Sequence, residues 1–190
     1  MAVERGLDVR TVFLLSLPFA GLAFYFFFVS LFLPPGLLGK YGSLLAIYFL
    51  PPAGKESVIP LMLSANSFGP PLPAWAAVTG IIAMDVVCSV IISYCWWFPE
   101  LLIKGVPFLD KGYGLLQRKA SKYRGKGIVE LPLLLFMVIP FQGTGGISTS
   151  IIARTVGVGP GKTVLICFLG SMITTVVWTM WWTGILSFLG

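Results

Sequence analysis

Residues 41–66 read YGSLLAIYFL-PPAGKE-SVIPLMLSAN, two short apolar pieces on either side of a break that begins at Pro51 and Pro52. Each piece is about ten residues long, half of the roughly 20 that a helix needs to cross a bilayer. Non-helical backbone at membrane depth is tolerated only where protein or a water-filled cavity surrounds it. The pattern therefore predicts a re-entrant hairpin over residues 41–66, hinged at Pro51 and Pro52, that returns to the side from which it entered.

The sequence around this hairpin is that of an integral membrane protein. Of the 190 residues, 57% are apolar and 11% are charged, whereas soluble domains have about 25% charged residues. A second pair of short apolar pieces, hinged at Pro140, predicts another re-entrant hairpin over residues 128–158. Long apolar runs predict transmembrane helices at residues 11–33, 74–97 and 163–189. We therefore expect a single all-α transmembrane domain over residues 1–190.

Short motifs recur at a spacing of 85 to 90 residues, which indicates an internal repeat. The pairs are Gly69-Pro70 with Gly159-Pro160, Gly80 with Gly170, and Trp96-Trp97 with Trp181-Trp182. A unit of one hairpin and one transmembrane helix crosses the membrane once, so two consecutive units have opposite orientations. The expected architecture is an inverted repeat of this unit, preceded by one extra N-terminal transmembrane helix.

Basic residues are concentrated between the two repeats. Residues 98–127 contain seven Lys or Arg and two acidic residues, interleaved with apolar side chains, a pattern typical of an amphipathic segment at a membrane surface. Because cytoplasmic loops are rich in Lys and Arg, we expect this segment and the N-terminus in the cytoplasm, and the C-terminus outside the plasma membrane. The net charge of +6 is thus a signal of membrane topology and not of nucleic-acid binding.

The residue inventory excludes several kinds of active site. The chain has no histidine, which removes the commonest metal ligand and the commonest general base. Its three cysteines lie in apolar runs without a Cys-x-x-Cys pair. A serine nucleophile activated by a histidine is therefore impossible. We expect that the protein is not an enzyme and that it holds neither a metal nor an organic cofactor.

Two acidic residues lie in otherwise apolar surroundings. Glu56 follows the hinge of the first hairpin, and Asp85 lies near the centre of the run 74–97. A carboxylate in such a place must be paired, hydrated or protonated. Glu56 is expected to carry a proton or cation in a cavity, or else to be a loop carboxylate paired with Lys55. Asp85 is either a functional acid or a structural acceptor for the unpaired amides of a broken hairpin.

The second hairpin contains the remaining candidates. Arg154 is a counter-ion to Glu56 or Asp85, a ligand for a phosphate head group, or a side chain that reaches the cytoplasmic interface beside Lys162. The glycine-rich segment could bring backbone amides close to an anion, or simply form a tight hairpin tip. Its members are Gly143, Thr144, Gly145 and Gly146.

Both hairpins are similar to those of a known membrane family. The segment PPAGKESVIPL at residues 51–61 resembles the Pro-Pro-x-Pro-x-Glu-x-x-x-Pro-Leu signature of the DedA superfamily. The segment IPFQGTGG at residues 139–146 looks more like the Ile-Pro-x-Pro-Gly-Thr-Gly hairpin of its small multidrug export protein branch. DedA proteins of the main branch have arginines beside the second hairpin's Pro-Gly, near positions where this chain has Val138 and Gly143.

This resemblance implies a transporter that moves an amphipathic substrate, such as a lipid-linked phosphate or a phospholipid. Glu56 and Asp85 would couple the movement to protons, with Lys55, Arg154 and residues 143–146 at the binding site. A proton-driven exporter of small drugs is the alternative that the branch implies, and a non-transporting scaffold is a remote one. The expected partners are membrane lipids, the substrate, and protons or cations, and a homo-oligomer is left open.

Overall fold

The computed structural model describes residues 9–48, 53–96, 99, 129–139 and 145–189. Within these ranges the chain forms seven helices and no β-strand, so the prediction of an all-α fold is confirmed for them. The helices are α1 (Val9–Phe32), α2 (Pro35–Tyr48), α3 (Lys55–Leu63), α4 (Ala74–Tyr94), α5 (Glu130–Val138), α6 (Gly146–Thr155) and α7 (Pro160–Leu189).

Two of these helices contain apolar stretches long enough to cross a membrane. They are Ala74–Tyr94 in α4 and Pro160–Ile185 in α7, with 21 and 26 residues. α1 contributes a shorter apolar stretch, Ser16–Phe32. Large apolar side chains such as Phe24 on α1 and Met180 on α7 are exposed, as expected of a surface that faces lipid.

The other four helices are too short to cross a membrane. α2, α3, α5 and α6 have 14, 9, 9 and 10 residues, against the roughly 20 that a bilayer requires. They lie on either side of the two breaks expected in the ranges 41–66 and 128–158. The predicted hinge residues Pro51, Pro52 and Pro140 lie outside the described residues, as does the basic segment 98–127 except for residue 99.

The second short helix of each half packs against the long helix of the other half. α4 contacts α6 as well as α7, and α7 contacts α3 as well as α4, α5 and α6. A core cluster of α1–α4 contains fully buried side chains, among them Tyr41, Ile59 and Met62. Tyr25 of α1 joins this core, because its hydroxyl forms hydrogen bonds with Tyr41 and Thr79 at 2.5 and 2.9 Å.

Two glycines at corresponding positions of the predicted repeat allow close helix contacts. A Cβ atom on Gly80 of α4 would collide with the Tyr41 hydroxyl of α2. A Cβ atom on Gly170 of α7 would lie 2.8 Å from both Cβ and Cγ of Met137 in α5. The first short helix of each half thus packs directly on a glycine of the long helix that follows it.

Gly170→Ala is therefore expected to lower the free energy of unfolding by about 1–3 kcal/mol, because the added methyl group forces α5 away from α7. Gly184→Ala is the matched control in the same helix, since nothing lies within 4 Å of a Cβ atom there. Thermal unfolding in detergent micelles, followed by tryptophan fluorescence, measures both variants. Equal melting temperatures for the two would contradict the close contact.

Candidate functional site

The carboxylate of Asp85, in the middle of α4, is the centre of the site. Its Oδ1 atom accepts hydrogen bonds from the Tyr48 hydroxyl and the Gly146 amide, each at 2.8 Å. Its Oδ2 atom accepts a hydrogen bond from Ser171 at 2.6 Å and lies 2.8 Å from the Lys55 ammonium. Asp85 therefore connects α4 to α2, α3, α6 and α7 through a single side chain.

The half-length helices α3 and α6 each contact this carboxylate through their first residue, α3 by a side chain and α6 by a backbone amide. Lys55 is the first residue of α3 and Gly146 is the first residue of α6. The N-terminus of a helix carries unpaired amides and a partial positive charge, which stabilise an anion. The contact of Asp85 with the first amide of α6 is thus electrostatically favourable.

Lys55 and Asp85 form an ion pair that is removed from solvent. Their side chains are 4% and 2% exposed. Lys55 also donates a hydrogen bond to the Ser171 hydroxyl at 3.1 Å, and Ser171 in turn donates to Asp85. The three side chains form a closed ring in which each charge has a partner, as a buried ion pair requires.

Glycines give α6 the space to approach Asp85. A Cβ atom on Gly146 would collide with the Asp85 carbonyl oxygen and lie 2.8 Å from its carbonyl carbon and Cα. A Cβ atom on Gly145 would lie 3.1 Å from the Tyr48 hydroxyl and 3.3 Å from Oδ1 of Asp85. The glycine-rich segment was expected to bring a backbone amide close to an anion, and the Gly146 amide contacts the carboxylate of Asp85. Gly143 and Thr144 lie outside the described residues.

Glu56 follows Lys55 in the first turn of α3, but its carboxylate is not part of this ring. The carboxylate occupies the space that a Cβ atom on Gly54 would need. Both of its oxygens are buried and have no hydrogen-bond partner in the described part of the chain. The suggested pairing of Glu56 with Lys55 is wrong, because the Lys55 ammonium pairs with Asp85 instead.

Arg154 lies at the other end of α6. Its Nη1 atom donates to the Val158 carbonyl at 2.8 Å, and its guanidinium is 5.9 Å from the centre of the Trp96 ring. At 1.5 Å per residue, its Cα is about 12 Å along the helix from that of Gly146. Lys55, and not Arg154, is therefore the counter-ion of Asp85.

A second ion pair, between Lys162 and Glu130, lies at the protein surface. Lys162, which was expected at the cytoplasmic interface, forms an ion pair with Glu130 at 2.7 Å, and its side chain is largely exposed. The pair joins the start of α7 to the start of α5.

Three side chains with structural roles were not singled out in the sequence. Tyr48 and Ser171 are uncharged residues in apolar runs and gave no signal. Lys40 is buried, and its ammonium donates to the carbonyls of Ser64, Gly69 and Pro70 at 2.7 to 3.1 Å. These hydrogen bonds hold the loop that joins α3 to α4. The sequence indicated this role only by the presence of a single lysine among apolar residues.

A family model described as "Putative small multi-drug export protein" matches residues 55–177. The match begins at Lys55 and includes Asp85, Gly146 and Ser171, so it contains most of the site and most of the chain. The chain belongs to this family. No curated protein and no solved structure is significantly similar to it.

Membership in the small multidrug export family agrees with the fold. Together with the apolar helices α4 and α7, it identifies a membrane protein of a transporter family. Across the described ranges, no group of three or more Cys, Asp or Glu side chains is placed to hold a metal ion. Placement in the wider DedA superfamily stays a prediction.

Proposed function

We propose that the protein is a proton-coupled membrane exporter of small amphipathic cations, in which the Glu56 carboxylate binds a proton and the substrate in turn. The observation that carries this proposal is the environment of Glu56, whose two buried oxygens have no hydrogen-bond partner among the described residues. An ionised carboxylate in such a place costs several kcal/mol unless it gains a proton or a cation. Exchange of one for the other is the chemistry of a proton-coupled cation exporter.

The charges around Glu56 favour a cation over a phosphate. The Lys55 ammonium is already neutralised by Asp85, and the first amide of α6 donates to the same carboxylate. The Lys55 ammonium and this amide could bind a phosphate, but both already bind the Asp85 carboxylate. The lipid-linked phosphate or phospholipid implied by the DedA resemblance is the competing substrate class.

We further propose that α2 with α3, and α5 with α6, form two re-entrant hairpins of an inverted repeat. Their lengths support this, because none of the four can cross a bilayer alone. The first residues of α3 and α6 both contact Asp85, near the middle of an apolar helix. Broken helices that meet near the membrane midplane are a common way to build a transport site.

The distribution of basic residues supports the orientation. With residues 98–127 in the cytoplasm, the N-terminus is cytoplasmic, the C-terminus lies outside, and export proceeds across the plasma membrane. The partners in this proposal are protons, the cationic substrate and the surrounding lipids. The protein acts as a carrier, without enzymatic chemistry.

Glu56→Gln in reconstituted vesicles tests the carrier role. With ethidium as the probe and an imposed pH gradient, we expect ethidium transport to fall to the rate of protein-free vesicles, because Gln cannot exchange a proton for a cation. We also expect the melting temperature to stay the same or rise, since the substitution removes a buried carboxylate that has no partner among the described residues. Transport and stability are measured on the same preparation.

Glu130→Gln is the matched control, because Glu130 lies in the exposed pair with Lys162 and should leave transport unchanged. If Glu56→Gln moves ethidium at the wild-type rate at every pH, the carrier role is wrong. A wild-type protein that moves a fluorescent phospholipid and not ethidium would replace the cation by the lipid as substrate. A wild-type protein that moves neither would favour the scaffold alternative.

A further inference from the structure

One face of α7 carries a row of polar side chains that begins at the ring around Asp85. The row is Ser171, Thr175, Trp178, Thr179 and Trp182. Steps of three and four residues place such side chains on the same side of a helix. Ser171 contacts Lys55 and Asp85, so the row extends from the ring towards the C-terminal end of α7.

The two threonines of this row do not use the hydrogen bond that their own helix offers. Thr163, Thr174 and Thr183 of α7 each donate to the carbonyl four residues earlier, at 2.8 to 3.0 Å. Such local bonds are the ordinary solution for a hydroxyl in a helix. The hydroxyls of Thr175 and Thr179 are buried and have no partner among the described residues.

The two tryptophans of the row show the same feature. Their rings are in edge-to-face contact with centroids 6.5 Å apart, and both pack against the α1–α4 core cluster. Their indole Nε1 atoms are buried without a hydrogen-bond partner in the described chain. Buried polar groups are nearly always satisfied, and each exception costs free energy.

Together with Glu56, the row accounts for six of the unsatisfied buried polar atoms in the described residues. Glu56 lies in the first turn of α3, which packs against α7 and whose Lys55 ammonium reaches Ser171 at the start of the row. The four unsatisfied atoms of the row lie on the face of α7 whose tryptophans pack against the α1–α4 core, and we name this contact the α7 seam. Such a concentration is expected of a contact that is closed in one state and hydrated in another.

We propose that the α7 seam opens into a water-filled pathway between Glu56 and the membrane face at which α7 ends. This inference rests on the proposed function, for which it supplies the route of the proton. Water is the matching ligand, because the hydroxyls both donate and accept hydrogen bonds and the indoles donate. When the seam opens, water forms hydrogen bonds with the polar atoms of the row and with the Glu56 carboxylate. When the seam closes, both are excluded from solvent.

Cysteine accessibility tests the pathway. Thr175→Cys and Thr179→Cys place a thiol in the seam, and the matched controls Val177→Cys and Met180→Cys place one at similar depth on exposed positions of the same helix. The full-length protein in lipid vesicles is treated with a membrane-impermeant, charged methanethiosulfonate. Mass spectrometry of peptides locates the labels, so the three native cysteines can remain.

The seam cysteines are expected to react at least about tenfold faster than the controls, because only a hydrated thiol forms the reactive thiolate. Labelling after denaturation shows that each thiol is present, and either seam position suffices if the other variant does not fold. Reaction at Thr175→Cys and Thr179→Cys no faster than at the controls would overturn the pathway. Labelling does not depend on transport. The labelling experiment can therefore contradict the pathway alone, and the ethidium experiment can contradict the carrier role of Glu56 alone.

Discussion

Asp85→Ala is expected to lower the free energy of unfolding by about 3–5 kcal/mol, more than either glycine substitution. The cause is the Lys55 ammonium, which is 4% exposed and would lose its only carboxylate in the ring. Tyr48, Ser171 and the Gly146 amide would each lose an acceptor as well. Unfolding in detergent micelles, followed by tryptophan fluorescence, measures the change.

A double substitution separates the buried charge from the packing. Lys55→Met combined with Asp85→Leu should recover much of the lost stability, because replacement of a buried ion pair by apolar side chains is often close to neutral. Glu130→Ala removes the acid of the exposed pair with Lys162 and should change stability by at most about 1 kcal/mol. If Asp85→Ala is as mild as Glu130→Ala, the pair does not hold the helices together in the membrane.

Gly146→Ala is also expected to destabilise the protein, with a steric cause. The added methyl group would meet the Asp85 backbone, which cannot move without displacing α4. Overpacking of this kind costs about 1–3 kcal/mol, and here it also pulls the first amide of α6 away from the Asp85 carboxylate. The yield of monodisperse protein and the melting temperature should both fall.

Gly161→Ala is the control for this substitution. Gly161 lies in the first turn of α7, as Gly146 lies in the first turn of α6, and nothing lies within 4 Å of a Cβ atom there. The control should fold as well as the wild-type protein. Wild-type stability in Gly146→Ala would mean that α6 does not begin against Asp85.

The half-length segments were predictable because they depend on local sequence. The apolar pieces around residues 51–52 and around residue 140 are each too short for a bilayer, and short helices lie on both sides of each break. Glu56 and Asp85 could be singled out for the same kind of reason, since an acid in an apolar run is visible without any structure.

The partners of these acids could not be predicted. Lys55 is adjacent to Glu56 in sequence, but neighbouring residues on a helix point in different directions, and its ammonium reaches Asp85 instead. Ser171, 86 residues away from Asp85 in sequence, completes the ring. A serine in an apolar helix has no pattern that distinguishes it from a residue facing lipid.

Composition and the lengths of the apolar runs alone indicated that this chain is helical and belongs in a membrane, because a bilayer has no water to satisfy backbone polar groups and a helix of about 20 apolar residues satisfies them within its own segment. The tertiary structure decided which buried charge is neutralised and which is not. Neutralisation requires charged and polar side-chain atoms of different helices to lie about 3 Å apart. These helices are far apart in sequence, so only the packing of α3, α4, α6 and α7 sets those distances.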